Sequence, residues 1–169
     1  GIRFGRVGSE SYVDAVVENV DSTGYATTLY KDGMVARTVE HLLAALRGLS
    51  IDNCYIEIDS KEVPIMDGSS APWVYLIQDA GIRELAAPRR TIEVLKPIQV
   101  QHGDKRIALY PADGFKITYT ISFDHPLLRH QQKTIELSED VFIDEIAPAR
   151  TFGFLKEVEM LRQRGLALG

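Results

Sequence analysis

The stretch Thr38-Val39-Glu40-His41-Leu42-Leu43-Ala44-Ala45-Leu46-Arg47-Gly48 decides the first part of the fold. Four of its apolar residues recur at the i, i+3, i+4, i+7 spacing of one helix face: Val39, Leu42, Leu43 and Leu46. Thr38 precedes this stripe and Gly48 ends it, which predicts Thr38 as the N-cap and Gly48 as the C-cap. The stretch therefore predicts an amphipathic helix with one face on a core.

The residues around this helix have the composition of short strands and a second helix. Residues 12–20 and 24–30 contain many β-branched residues, and Lys31-Asp32-Gly33 is a turn signal, so a hairpin is expected there. Residues 54–58 predict another strand. The turn Asp67-Gly68-Ser69-Ser70 then opens a second helix that runs to Gly81.

A linker follows at residues 85–90, where Pro88 ends the helical pattern and a new strand is expected at 92–95. That strand is predicted to pair with residues 106–110 through a turn at 102–104. Residues 116–123 alternate, which predicts a strand with one buried face formed by Ile117, Tyr119, Ile121 and Phe123. Helices are expected at 140–146 and 155–164, so the chain is predicted to be α+β, with two similar domains at 1–86 and 89–169.

The composition of the chain excludes several classes of protein. A length of 169 residues with 45% apolar content suffices for a hydrophobic core, and the net charge of −5 gives no basic field for nucleic acid. The single Cys54 excludes a disulfide framework and a multi-cysteine zinc site, which fits a reducing, cytoplasmic setting. No apolar run is long enough for a membrane span, and no secretory signal opens the chain. The start at Gly1 and the apolar end at Gly169 suggest a fragment.

Glu40-His41 is the first candidate for chemistry, because it lies in the first turn of the predicted helix, where backbone N–H groups are free. Neutral imidazole binds zinc well, and a carboxylate beside a metal-bound water can act as a general base. Two adjacent residues do not define a metal site, however. A solvated pair that partly caps the helix is the alternative interpretation.

The other histidines and the turn-rich segments have structural interpretations beside the functional ones. His102 and His130 are expected in polar turns, whereas Asp124-His125 could either supply metal ligands or hold a turn before Pro126. The segment 62–73 is interpreted as structural, with Asp67 and Ser69 holding a turn and capping the following helix.

The segment Ala149-Arg150-Thr151-Phe152-Gly153-Phe154 joins two predicted helices. Phe-Gly-Phe is typical of core packing. A loop threonine can instead donate a hydrogen bond to a developing oxyanion, and exposed phenylalanine rings can contact an acyl chain or stack on a sugar or base.

Taken in order, six segments resemble the zinc-dependent UDP-3-O-acyl-N-acetylglucosamine deacetylases of lipid A biosynthesis in Gram-negative bacteria. The match extends over essentially the whole chain, and six segments in the same order are far more specific than any one alone. The segments are residues 38–46, 48–53, 62–69, 123–126, 149–154 and 165–169.

The resemblance implies two α+β domains of similar topology, with helices sandwiched between two sheets. It also implies hydrolysis of an N-acetyl amide, with zinc as cofactor and UDP-3-O-acyl-N-acetylglucosamine as substrate. His41 would be a zinc ligand, Glu40 the general base, and Thr151 the hydroxyl that stabilises the oxyanion. The substrate contacts implied by the resemblance are Phe152, Phe123, Phe154, Tyr25 and Ala26.

The chain also departs from the family pattern. The resemblance implies that the family's other zinc ligands lie beyond the equivalent of Gly169 and that its first strands precede Gly1, so both predicted domains would lack part of their fold. One ligand of about three does not hold zinc well, and we therefore expect this chain alone to be inactive. A monomer that binds no nucleic acid and has no membrane span is expected.

Two alternatives stay open from the residues. One is a non-catalytic α+β module that binds a sugar nucleotide or a protein partner through the loop of Phe152 and Phe154. The other is a hydrolase whose metal is held by His41 together with Asp124 and His125, which requires these groups to converge within zinc-ligand distance.

Overall fold

The computed structural model describes residues 1–163 and residue 165. It contains helices and several small sheets, so the predicted α+β class is confirmed. The chain divides into two compact units, one of residues 1–84 with the described residues from Phe142 onward, and one of residues 85–141. The first unit therefore combines the N-terminal segment with the described residues from Phe142 onward.

The first unit contains two three-stranded sheets. One sheet has the order β2-β1-β6, with β1 antiparallel to β2 and parallel to β6, and the other is antiparallel with the order β3-β4-β5. The strands are β1 (Ile2–Arg6), β2 (Tyr12–Asp14), β3 (Val20–Ser22), β4 (Thr28–Lys31), β5 (Met34–Ala36) and β6 (Cys54–Ile58).

The predicted hairpin is β4–β5, and its turn residues Asp32 and Gly33 both have positive φ, at 47° and 86°. This is the conformation that an Asp-Gly pair favours between antiparallel strands. The stretch predicted as one strand at 12–20 is instead β2, a 3-10 turn at Val17–Asn19 and the start of β3.

The helices of the first unit are α1 (Glu40–Gly48), α2 (Ala71–Ala80), a π-helical turn (Phe142–Ile146) and α4 (Leu155–Gln163). α4 ends at Gln163 and Gly165 has φ 73°, whereas Arg164 and the rest of the segment predicted at 165–169 lie outside the described residues. None of the described helices has both the length and the apolar character that crossing a membrane requires.

The core of the first unit lies among α1 and the two sheets, so the apolar stripe of α1 is buried as predicted. Trp73 and Ile77 of α2 pack against the same core. The buried core residues are Phe4, Val13, Leu29, Met34, Ala36, Val39, Leu42, Leu46, Ile58 and Val63.

The predicted caps of α1 are wrong at both ends. Val39 is the N-cap residue, whereas Thr38 has φ 57° and its hydroxyl donates to Glu62 Oε1 at 2.7 Å instead of capping the helix. Gly48 is the last helical residue rather than the cap. A Cβ at Gly48 would overlap the ring of the buried Phe142, so a glycine is required by packing.

The second unit, residues 85–141, consists of two hairpins and a short helical turn, α3 (Glu139–Val141). Strands β7 (Ile98–His102) and β8 (Lys105–Leu109) pair antiparallel, as do β9 (Lys116–Ile121) and β10 (Gln131–Glu136). The strand predicted at 92–95 is wrong, because the two-residue turn at Gly103-Asp104 pairs Leu109 with Ile98 and leaves no partner for earlier residues.

The predicted buried face of β9 is also wrong. Ile117 and Tyr119 are 40% and 69% exposed, and no residue from 85 to 141 is buried. The opposite face of this hairpin is polar, with Thr118 bonded to Thr134 and Gln132 to Thr120. The alternation therefore marks an apolar face, but residues 85–141 supply no second layer to cover it.

Candidate functional site

Glu40 is the first residue of α1, and a backbone amide from a distant loop holds its carboxylate. The Thr27 N–H donates to Glu40 Oε2 at 2.9 Å, and the Val39 N–H donates to the Thr27 carbonyl at 3.4 Å. Glu40 is half-buried. The loop of residues 25–27 thus lies against the start of α1, and it brings Tyr25 and Ala26 into the neighbourhood of Glu40.

His41 follows in the first turn of α1 and is also half-buried. Its backbone carbonyl accepts a hydrogen bond from the Ser70 hydroxyl at 2.9 Å. Ser70 is the residue before α2 and is only 7% exposed. This contact ties the first turn of α1 to the start of α2.

The turn of residues 67–70, which we call the DGSS turn, is held by its own first residue. Asp67 Oδ1 accepts hydrogen bonds from the Ser69 N–H at 3.0 Å and from the Ser69 hydroxyl at 2.7 Å. These bonds, with a smaller contribution from the charge of Arg150, lower the pKa of the Asp67 carboxyl. The Ser69 hydroxyl in turn accepts from the Ala71 N–H at 3.2 Å, so the predicted turn is confirmed, whereas the N-cap residue of α2 is Ser70.

Thr151 lies directly beside this turn. Its backbone N–H donates to the Gly68 carbonyl at 2.8 Å, and the neighbouring Arg150 Nε donates to the Asp67 carbonyl at 2.7 Å. The Ala147 carbonyl accepts the N–H groups of both Ser70 and Ala71 at 3.0 Å. The segment that carries Thr151 is therefore anchored on the DGSS turn at three points.

Phe152 and Phe154 form an edge-to-face pair with ring centroids 5.9 Å apart and an interplanar angle of 87°. Phe152 is 58% exposed. Between them, Gly153 lies close to Val158 of α4, where a Cβ would approach Val158 Cγ2 to 3.2 Å. The pair thus presents aromatic surface beside Thr151.

Phe123 lies in the unit of residues 85–141, whereas the other seven predicted site residues belong to the first unit. It closes a tight turn, since its N–H donates to the Leu128 carbonyl at 2.9 Å. The same turn uses His125, whose Nδ1 accepts the Leu127 N–H at 3.2 Å.

Three non-glycine residues beside the site have left-handed backbone conformations. Tyr25, Thr38 and Met66 have φ values of 63°, 57° and 56°. Tyr25 begins the loop that holds Glu40, Thr38 precedes the start of α1, and Met66 precedes the DGSS turn. Such conformations cost about 1–3 kcal/mol each and persist where the surrounding contacts enforce them.

The described residues do not form a zinc site on their own. Within residues 1–163 and 165, no group of three or more His, Cys, Asp or Glu side chains is arranged to hold a metal ion. His41 with Glu40 offers an imidazole beside a carboxylate, but a catalytic zinc takes about three protein ligands. His41 belongs to the first unit, and Asp124 and His125 belong to the unit of residues 85–141.

Sequence reasoning missed Thr27 and Ser70 as parts of this site, and it missed the contacts of the DGSS turn. The partners are 13 residues apart for Thr27 and Glu40, 29 for Ser70 and His41, and 83 for Arg150 and Asp67. The turn-forming residues of segment 62–73 were the available sequence signal for these contacts. They predict a turn, but they do not identify the residues that the turn contacts.

Comparison with known proteins gives a consistent result. The family model described as LpxC, UDP-3-O-acyl N-acetylglycosamine deacetylase, matches residues 1–169. Proteins named UDP-3-O-acyl-N-acetylglucosamine deacetylase from Methylococcus capsulatus and Hahella chejuensis are 50% and 49% identical to the chain over 173 residues. The corresponding protein of Saccharophagus degradans is 49% identical over the same length.

Each of these alignments includes 100% of this chain and 57% of the relative. The chain therefore spans a little over half the length of the curated relatives it matches. Because the family model accounts for every residue of the sequence, the chain belongs to the UDP-3-O-acyl N-acetylglycosamine deacetylase (LpxC) family.

Proposed function

We propose that this chain supplies the general-base part of a deacetylase that removes the N-acetyl group of UDP-3-O-acyl-N-acetylglucosamine in lipid A biosynthesis. The family match over residues 1–169 is the observation that carries the proposal. The relatives' names give the substrate.

Glu40 is the proposed general base. A carboxylate can accept about four hydrogen bonds, so the single Thr27 amide at Oε2 leaves capacity for a water molecule. Glu40 takes a proton from this water as the water oxygen forms a bond to the acetyl carbon. The carbon–nitrogen bond then breaks as the nitrogen takes up this proton from Glu40, which gives acetate and a free amine.

Thr151 is the proposed donor to the oxyanion that forms on the acetyl oxygen. Its backbone is held by the bond to Gly68, which fixes the position from which the hydroxyl would donate when the charge develops. Phe152, Phe154, Tyr25 and Ala26 are proposed as substrate contacts beside these two groups, and Phe123 as a further contact from the second unit.

We propose that the full-length enzyme requires zinc, with His41 as one ligand and the others supplied by parts of the family that this chain does not span. A bound zinc would polarise the acetyl carbonyl and acidify the water. Since His41 lacks companion ligands among the described residues, we expect the chain alone to be inactive.

We further propose a cytoplasmic monomer that acts on a small molecule. The net charge of −5 does not attract nucleic acid. The proposed substrate is a small molecule, a nucleotide-sugar that carries an acyl chain.

A hybrid enzyme tests this function. In the hybrid, residues 1–169 replace the matching segment of the Methylococcus capsulatus deacetylase, to which they are 50% identical. We expect the purified hybrid to contain about one zinc per chain and to release acetate from the substrate, whereas the 169-residue chain should do neither.

The alternative, a binding module without catalysis, gives a different result. The exposed ring of Phe152 supports this alternative, because such a ring can contact a ligand. A hybrid that binds the nucleotide-sugar with micromolar affinity but releases no acetate would support the module and reject the deacetylase.

A further inference from the structure

The DGSS turn connects the two parts of the proposed catalytic site. On one side, the Ser70 hydroxyl donates to the His41 carbonyl at 2.9 Å. On the other side, the Gly68 carbonyl accepts the Thr151 N–H at 2.8 Å. Two residues of one turn thus contact the helix turn that carries the base and the loop that carries the oxyanion donor.

Buried hydrogen bonds allow this turn to fix the first turn of α1 relative to the segment of Thr151. Ser69, Ser70 and the contacting Ala147 are 1%, 7% and 1% exposed, so their hydrogen bonds are shielded from water. Asp67 holds Ser69 through both its amide and its hydroxyl. Hydrogen bonds in buried surroundings are stronger than those in water, and a satisfied network of them is rigid.

The contact of the Ser70 hydroxyl with the first turn of α1 depends on a side chain. A carbonyl has two lone pairs, so the His41 carbonyl can accept this hydroxyl in addition to an amide of its own helix. Loss of the hydroxyl would leave α1 packed on the core, while the turn would be free to move relative to α1 and to the segment of Thr151.

We propose that Ser70 is a positioning residue that fixes Glu40 and His41 relative to Thr151. The proposal rests on the proposed deacetylase function. It predicts that Ser70 acts on turnover rather than on substrate binding, because misplacement by about 1 Å can lower a rate by as much as 100-fold.

The first experiment measures kinetics in the hybrid enzyme. We expect Ser70→Ala to lower kcat about 10-fold or more with KM nearly unchanged. Val74→Ala is the matched control, since Val74 is a buried residue of the same helix whose truncation lowers stability while leaving the Ser70 hydroxyl in place. Equal losses of kcat in both variants, or no loss in Ser70→Ala, would overturn the proposal.

The second experiment needs no activity and uses the 169-residue chain. By NMR, Ser70→Ala should shift the His41 carbonyl signal and increase the exchange rate of the Thr151 amide hydrogen about 10-fold, whereas Val74→Ala should leave the His41 carbonyl signal in place. A shift at His41 without a change at Thr151 would show that the turn does not couple the two sides. An inactive hybrid would reject the proposed function, and this measurement would still decide the role of Ser70.

Discussion

Individual hydrogen bonds fix the position of Glu40 at the start of α1. Its Oε2 accepts the Thr27 amide, and the residue two before it, Thr38, donates its hydroxyl to Glu62 Oε1 at 2.7 Å. Thr38 makes this contact in a left-handed backbone conformation, which a β-branched residue adopts rarely. The start of α1 is therefore fixed by side-chain chemistry on both sides rather than by a conventional N-cap.

Asp67 should make the stability of the chain depend on pH in the acid range. Its pKa is lowered in the folded state, chiefly by the Ser69 hydroxyl, from an ordinary value of 3.8. The stabilisation is thus complete above pH 3.8 and is lost as the pH falls through the lower folded value. We expect wild type to be more stable than Asp67→Asn at pH 7 and the difference to shrink below about pH 4.

Urea denaturation of both proteins between pH 7 and pH 2 measures this difference. A gap between the two proteins that stays constant across this range would contradict the assigned role of the Asp67 carboxylate.

Residue types were predictable from the sequence, but their partners were not. Glu40, His41 and Thr151 could be selected because carboxylate, imidazole and hydroxyl groups suit hydrolysis and because the family resemblance names them. Thr27 contributes only a backbone amide, which every residue except proline has, so no residue type could mark it.

At the scale of elements, α1 is held at both ends. Ser70 contacts its first turn, and Phe142 of the π-helical turn packs on its last residue, Gly48. The π-helical turn closes with the Ala147 N–H donating to the Phe142 carbonyl at 2.7 Å, which places Ala147 against the start of α2. Both contacts of α1 thus come from elements that also position the segment of Thr151.

Gly48→Ala should destabilise the chain, although alanine favours helices more than glycine by about 1 kcal/mol. The added methyl would overlap the Phe142 ring, and overpacking of this kind costs about 1–3 kcal/mol, so we expect a net loss of stability. Gly24→Ala is the control, because a Cβ there meets no atom within 4 Å.

The free energy of unfolding from chemical denaturation compares the two variants. A Gly48→Ala protein as stable as wild type would mean that the close approach of Phe142 to α1 is wrong.

The elements with strong local patterns were predicted well, whereas those defined by pairing were not. The α1 stripe and the Asp-Gly hairpin depend on neighbours in sequence, and both are confirmed. The prediction of a strand at 92–95 was wrong because the turn at Gly103-Asp104 sets the pairing register. In that register the first paired residue is Ile98. Gly48 was assigned to capping because its true reason, Phe142, is far away in the sequence.

At the scale of the whole molecule, the two units differ in their cores. The first unit buries a set of apolar residues among its sheets and α1. The second unit, residues 85–141, has no buried residue, although its strands carry apolar faces. Isolated two-stranded hairpins are marginally stable in water, so this unit should open more easily than the first.

Limited proteolysis should therefore cut the second unit first. With trypsin, we expect early cleavage after the exposed Arg89, Arg90 and Lys133, and slower cleavage after Arg37 and Arg47, which are also exposed but lie against the core of the first unit. Mass spectrometry of the early products identifies the sites. Initial cleavage at Arg37 or Arg47 would contradict this difference in stability.

Family membership could be inferred from the sequence because it depends on the order of motifs along the chain. The sandwich of helices between two sheets, and two domains of similar topology, remain predictions of the resemblance. Burial of the Ile117 face was predicted from alternation alone, and alternation indicates which face is apolar without providing the layer that covers it.

The central claim is that Glu40, held by the Thr27 amide at the start of α1, is the base of an amide hydrolysis. The turnover number of Glu40→Gln in the hybrid enzyme, measured as acetate release at saturating substrate, tests it most directly. We expect a decrease of about 100-fold or more with zinc content unchanged. Turnover within about 2-fold of the unmodified hybrid would contradict the claim, since general-base catalysis contributes far more than that.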